Sequence, residues 1–121
     1  LDFSLRNGGN GLTEIILKKK GFDYEKFIYG NIITTKKKMN NDYYCSYLIG
    51  TNKKKKIFKS IKIKSDNSIL SKVIFKKKND LTNQFLSSAD VIGLIIFKST
   101  SILNAKKKIK YFNKNIKINF V

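Results

Sequence analysis

The sequence predicts an α+β fold. A small N-terminal α/β unit is expected over residues 1–52, and a mostly β C-terminal unit with one or two short helices over 53–121. Three observations predict it. Helical spacing of apolar residues is confined to short segments, above all Leu12, Ile15, Ile16 and Lys19. Runs of Ile, Val, Phe and Tyr of strand length recur from residue 27 to the end of the chain. Polar and charged clusters at 36–41, 51–56 and 76–80 separate those runs. The chain has 121 residues and 41% hydrophobic content, enough to build a core and too much for a disordered basic tail.

Taken in order, Leu1 and Leu5 sit one helical turn apart and read as a helix fragment ending at Asn7. Gly8-Gly9-Asn10-Gly11 breaks any helix. Leu12 to Lys20 then reads as a helix whose last-turn lysines suit its C-terminal dipole, with Gly21 as left-handed C-cap. Residues 27–35 read as a strand and 36–41 as a turn. Residues 42–50 form the returning strand, with Tyr43, Cys45, Tyr47 and Ile49 on one face. The charged connector 51–56 marks the domain boundary.

In the C-terminal unit, Ile57, Ile61 and Ile63 alternate with polar neighbours and Phe58, as in a half-buried strand. Residues 65–68 make a turn and 69–75 a further strand. Leu81, Phe85 and Leu86 have helical spacing behind Asp80 as N-cap. Residues 91–97 are apolar throughout and read as a central strand. Ala105, Ile109 and Phe112 form a short helical stripe, and Ile116, Ile118 and Phe120 a terminal strand.

The formal net charge is +18, from 25 Lys, one Arg and eight acids. Self-repulsion at that density calls for an anionic partner. RNA, DNA and an anionic membrane surface are the candidates. Lysine runs at 18–20, 36–38, 53–56, 76–78 and 106–108 fall at element ends and exceed what solubility requires. Lysine is a point charge without the fork of arginine, so such residues would position a phosphate backbone and not read bases. Lys, Ile, Asn, Phe and Tyr fill 71 of the 121 positions. Those types are written by A- and T-rich codons, a bias of small organellar genomes.

Enzyme readings find little support. There is no His for general acid–base work, and only Asp23 and Glu25 bring two acids close, beside Lys26. Cys45 lacks a partner to ionise it and reads as a small core residue. The Gly8–Gly11 run lacks the Lys-Ser/Thr ending of a phosphate loop. With no His and one Cys, no zinc or haem ligand set can be assembled, so no cofactor is expected. No apolar run approaches the roughly 18 residues of a membrane span, and no secretory signal is present. Ser99-Thr100-Ser101 is the most informative short feature. Three small hydroxyls between an apolar strand and a basic helix can reach bases, riboses and phosphates, or can simply cap the helix.

These residues carry a resemblance. Val91-Ile92-Gly93-Leu94-Ile95-Ile96-Phe97-Lys98-Ser99-Thr100-Ser101 resembles the Gly-Ile-x-Ile-x-Ser-Thr-Ser stretch of bacterial-type small-subunit ribosomal protein eight. Ala105 to Lys108 resembles that family's following helix and Ile116 to Val121 its last strand. Residues 57–75 resemble its two preceding strands, with Lys72 near a basic position. Leu12 to Phe22 resembles its second helix, and Leu5-Arg6-Asn7-Gly8 the end of its first.

The resemblance implies a diverged organellar member, mitochondrial in preference to plastid. It implies a structural constituent of the small ribosomal subunit that binds the central domain of small-subunit rRNA and supports assembly, with no catalysis. Ser99, Thr100 and Ser101 would make the specific contacts. Lys98, Lys106, Lys107 and Lys72 would hold phosphates, and Arg6 and Asn7 would form a second contact. Partners would be that rRNA and neighbouring ribosomal proteins, with no membrane and no small-molecule substrate. Another basic organellar ribosomal or RNA-binding protein is the alternative. A lysine-rich peripheral membrane protein is the third reading, weakened by the shortness of the 12–20 helix.

Overall fold

Apolar side chains at every position from Val91 to Phe97 need cover on both faces. The architecture supplies it. The computed structural model describes residues 9, 11–24, 26, 29, 30 and 41–121. The elements are α1 (Leu12–Lys20), β1 (Tyr43–Ile49), β2 (Lys56–Ile63), β3 (Ile69–Ile74), β4 (Leu81–Thr82), β5 (Gly93–Ser99), α2 (Ile102–Asn115) and β6 (Ile116–Phe120). A 3-10 turn at Ser88–Asp90 precedes β5. The fold is α+β, with two antiparallel sheets ordered β1-β5-β3 and β4-β2-β6. The helix fragment at Leu1–Asn7 and the turn expected up to residue 40 lie outside the described residues, as does most of the strand expected over 27–35.

Strand β5 is the middle of the first sheet. It pairs with β1 from Tyr43↔Ser99 to Ile49↔Gly93, and with β3 on its other edge. Thus β1, which precedes residue 53, is joined along its whole length to a strand that follows it. Gly93, opposite Ile49 and Ile74, has no room for a side chain. A Cβ there would lie 2.7 Å from the Val73 carbonyl oxygen and 2.8 Å from Ile74 Cδ1.

The two faces of β5 have different cover. Ile95 and Phe97 point inward with Cys45, Tyr47 and Ile49, as the alternation along β1 predicts. Phe112 of α2 meets the Phe97 ring edge-on at 5.2 Å and Tyr47 at 5.5 Å. Phe58, Ile61 and Ile63 of β2 and Ile116 and Ile118 of β6 close the same cluster. Leu94 and Ile96 face the other way and are also buried. The start of α1 lies against them, so close that a Cβ on Gly11 would sit 2.6 Å from Ile96 Cδ1.

Helix α1 ends as the sequence predicts. Gly21 adopts φ 69° and its N–H donates to the Leu17 carbonyl. Two expectations change. The alternation placed Ile57, Ile61 and Ile63 on one face, but the β2–β6 register slips between Phe58 and Ser60. The bulge exchanges the faces, leaving Ile57 43% exposed and Phe58 4%. The helix expected around Leu81–Leu86 is absent. Asp80 closes the preceding turn by accepting from the Lys77 N–H at 2.7 Å. Thr82 then pairs with Lys56 and donates its hydroxyl to that residue's carbonyl at 2.8 Å. Those bonds tie the segment to β2 and outweigh its weak helical spacing.

Candidate functional site

Strand β5 ends at Ser99 and α2 begins at Ile102, so Ser99-Thr100-Ser101 is the corner between them. Each hydroxyl has a local task. Ser101 is extended and its side chain accepts from the Asn104 N–H at 3.1 Å, capping α2. Ser99 is buried and donates to the Ser101 carbonyl at 2.9 Å. Thr100 is exposed and accepts from the Asn104 side-chain amide at 2.8 Å. Capping, the other role the residue types allowed, is what Ser101 performs.

A cavity of about 450 Å³ opens beside this corner, lined by Lys98, Thr100, Asn104, Lys107, Lys108 and Ser68 among others. One wall is pinned from across the fold. Lys108 of α2 bonds Asp66 in the β2–β3 connection at 2.6 Å, and Asp66 also accepts from the Ser68 N–H at 2.8 Å and from the Ser68 hydroxyl. The Lys108 hydrogen bond, then those of Ser68, hold the Asp66 carboxyl down at about 2. Lys98 is tied through its backbone, its N–H donating to the Ser68 carbonyl at 3.0 Å. Neither Lys98 nor Lys107 has an ion-pair partner among the described residues.

The structure thus brings Lys98, Ser99, Thr100 and Lys107 to one cavity. It sets Lys106 on the exposed surface of α2 and Lys72 in a separate cleft beside Ile63 and Ser65. Arg6 and Asn7 lie outside the described residues. Sequence reasoning missed Asn104, Ser68, Asp66 and Lys108. The Asp66-Asn67-Ser68 turn signal was visible. The link from Asp66 to Lys108, 42 residues apart, has no local trace.

Elsewhere, Gly9 and Gly11 line a second cavity of about 460 Å³ with Leu48, Phe75 and Leu94. Cys45 packs against the core, and burial pushes its thiol up, away from the reactive thiolate. Among the described residues no group of three or more Cys, Asp or Glu is placed to hold a metal. No described helix is long and apolar enough to cross a membrane.

No family model and no curated protein matches the sequence. The fold has solved counterparts. The chain is similar to phosphoribosylglycinamide synthetase from Anaerococcus prevotii, with 26% identity and a TM-score of 0.72 over 94% of this chain and 31% of that one. It is also similar to L-amino acid ligase from Bacillus licheniformis, with 13% identity and a TM-score of 0.73 over 94% of this chain and 30% of that one. The second likeness is one of fold alone. The chain spans about a third of the length of each ligase.

These likenesses overturn the ribosomal reading. The family is not that of small-subunit ribosomal protein eight, and the role as a constituent of the small subunit falls with it. So do rRNA binding, translation, the ribosomal partners and the exclusion of a small-molecule substrate. The alternative of another RNA-binding ribosomal protein gains no support. The physical reason is visible at the corner. A strand entering a helix needs small hydroxyl residues for its cap whatever the protein does, so Ser-Thr-Ser carries little family information. Charge is equally mute, because lysines on a solvated face look the same beside any anion. No enzyme was expected either, whereas both solved counterparts are enzymes. By fold, this chain is similar to about one third of two ligases.

Proposed function

We propose that the chain is a domain of the ATP-grasp ligase type, acting on small-molecule substrates together with the rest of an ATP-dependent ligase fold. The observation that carries this reading is the likeness to the synthetase over 94% of the chain at a TM-score of 0.72. Division of labour follows from the residues. Activating a substrate with ATP needs carboxylates that hold metal ions against phosphates. Among the described residues no group of three or more carboxylates or thiols is placed together. In this reading the chemical step is assigned to the remaining part of the ligase fold, and this domain contributes binding surface and shape. The cavity at the end of β5 fits that role, since it presents the cations of Lys98, Lys107 and Lys108, the Asp42 carboxylate and small hydroxyls to solvent.

The test is a domain exchange. The matched third of the A. prevotii synthetase is replaced by this chain, and ADP formation is measured with the synthetase's substrates. The hybrid is expected to exceed a deletion lacking that third. A hybrid that is folded by circular dichroism yet no better than the deletion overturns the reading.

A further inference from the structure

We propose that one end of the second sheet docks on an anionic lipid surface, with Ile57, Leu81 and Val121 entering the headgroup layer and the lysines around them meeting its negative groups. The proposal stands apart from the ligase-like reading, since it uses neither ATP nor the cavity at the end of β5. It starts from register. Ile57 pairs with Leu81 of β4, and its carbonyl accepts from the N–H of Val121, just beyond β6, at 2.9 Å. Residues opposite one another in antiparallel strands share a face. The three aliphatic side chains therefore stand side by side across the end of the sheet, on the face opposite Phe58. They are 43%, 56% and 75% exposed.

Two lysine turns frame this end. Lys53 to Lys56 lead into Ile57, and Lys77 and Lys78 belong to the turn that leads into Leu81. All of them are exposed, and none has an ion-pair partner among the described residues. Both turns are anchored to the sheet. The Asn79 N–H donates to the Phe58 carbonyl at 2.8 Å, and the Lys53 ammonium lies 5.4 Å from the centre of the Phe120 ring. The carboxylate next to them in sequence, Asp80, is turned back to accept from the Lys77 N–H at 2.7 Å and lines the separate cavity with Gly9 and Gly11. Asp66 and Asp90 accept hydrogen bonds within their own turns. The aliphatic side chains decide among anionic partners. A nucleic-acid backbone offers no apolar surface to bury. An acidic protein segment presents carboxylates at fixed positions, whereas these ammonium groups are point charges on flexible stems. A bilayer surface supplies anionic groups of no fixed spacing above hydrocarbon, and lysine stems reach from one to the other. Buried apolar area plus attraction to anionic lipid is what holds amphipathic helices at an interface, and here the end of a sheet presents the same pair of features.

The test is flotation of the full chain with vesicles of phosphatidylcholine and phosphatidylserine, and with vesicles of phosphatidylcholine alone. Binding is expected to the first and not to the second. Replacing Lys54, Lys55, Lys77 and Lys78 together by Gln should lower vesicle binding by about tenfold or more. Replacing Lys72, Lys106, Lys110 and Lys114 by Gln, which removes the same charge from exposed sites elsewhere, should change it less than about threefold. The triple variant Ile57→Ser, Leu81→Ser and Val121→Ser, with its fold checked by circular dichroism, should lower vesicle binding by about tenfold. The same variant should leave binding to single-stranded RNA within about twofold, because charge alone serves there. Equal losses for the two lysine sets overturn the proposal even where the aliphatic variant does not fold. So do equal binding to both kinds of vesicle, and a folded aliphatic variant that floats as well as wild type. Because ATP is absent, none of these outcomes bears on the domain exchange, and an inactive hybrid leaves vesicle binding unaffected.

Discussion

The two sheets share a core and differ in how they are covered. In β1-β5-β3 the central strand is buried on both sides, with Ile95 and Phe97 under α2 and Leu94 and Ile96 under the start of α1. In β4-β2-β6 only one face is covered, and Lys59, Lys62 and Lys117 stand on exposed positions. The first sheet is therefore built from an uninterrupted apolar strand, which leaves no freedom about being a strand. The second is built from alternating lysine and isoleucine, which a single bulged residue is enough to re-phase. Double cover specifies an element firmly, while single cover leaves its register to local geometry.

The largest test of that contrast is Phe97→Ala, which empties the ring site shared with Phe112. It should cost about 3–5 kcal/mol in urea unfolding. A loss below about 1 kcal/mol would mean that β5 is not the shared centre. Next comes the bulge. Phe58→Ala should cost about 3 kcal/mol and Ile57→Ala less than about 1 kcal/mol. The reverse ranking would restore the unbroken alternation.

Two smaller tests probe the joints between the sheets. Asp66 lies in the β2–β3 connection and reaches α2 through Lys108. Asp66→Asn should cost about 1–2 kcal/mol near neutral pH, discounted for the partly exposed lysine. The Asp66 carboxyl sits at about 2 when folded against an ordinary value of 3.8. Its contribution is thus complete above that ordinary value and is lost as pH falls through the folded one. The stability gap between wild type and variant should close over that interval, and a constant gap would assign the loss to packing. Ser101→Ala, at the other joint, should cost about 1 kcal/mol by removing the α2 cap. Thermal unfolding of that variant beside Thr100→Val, expected within about 0.5 kcal/mol of wild type, separates the cap from the exposed hydroxyl.

Much of the architecture was legible from residue patterns. Helix α1 announced itself by Leu12, Ile15 and Ile16, with its lysines and Gly21 at the end. β5 did so by continuous apolarity, and β6 by alternation. What stayed hidden depends on contacts between distant segments. The bulge at Lys59 is set by pairing with Phe120 and Asn119. Thr82 becomes a strand residue only because Lys56 is there to accept its hydroxyl. For the site, the ribosomal resemblance names Lys98, Thr100 and Lys107 as RNA contacts, and the structure sets them beside one cavity. Their ligand could not be read from the sequence, because an ammonium group records only that its partner is negative. Asp66 was read as part of a turn, since its cation arrives from α2.

The place of β5 at the centre of its sheet also sets an order of events during synthesis. β1 and β3 leave the ribosome before residues 93–99, which both of them require as a partner. β2 in turn awaits Leu81–Thr82 on one edge and residues 116–120 on the other. Three strands therefore emerge with open edges, and neither sheet closes until the last quarter of the described chain is available. Such long-range pairing makes folding slow and leaves isoleucine-rich edges open to other chains meanwhile. The lysines interleaved along β2, with Lys72 in β3 and Lys76 to Lys78 just beyond it, then act as gatekeepers, keeping nascent chains apart until β5 arrives.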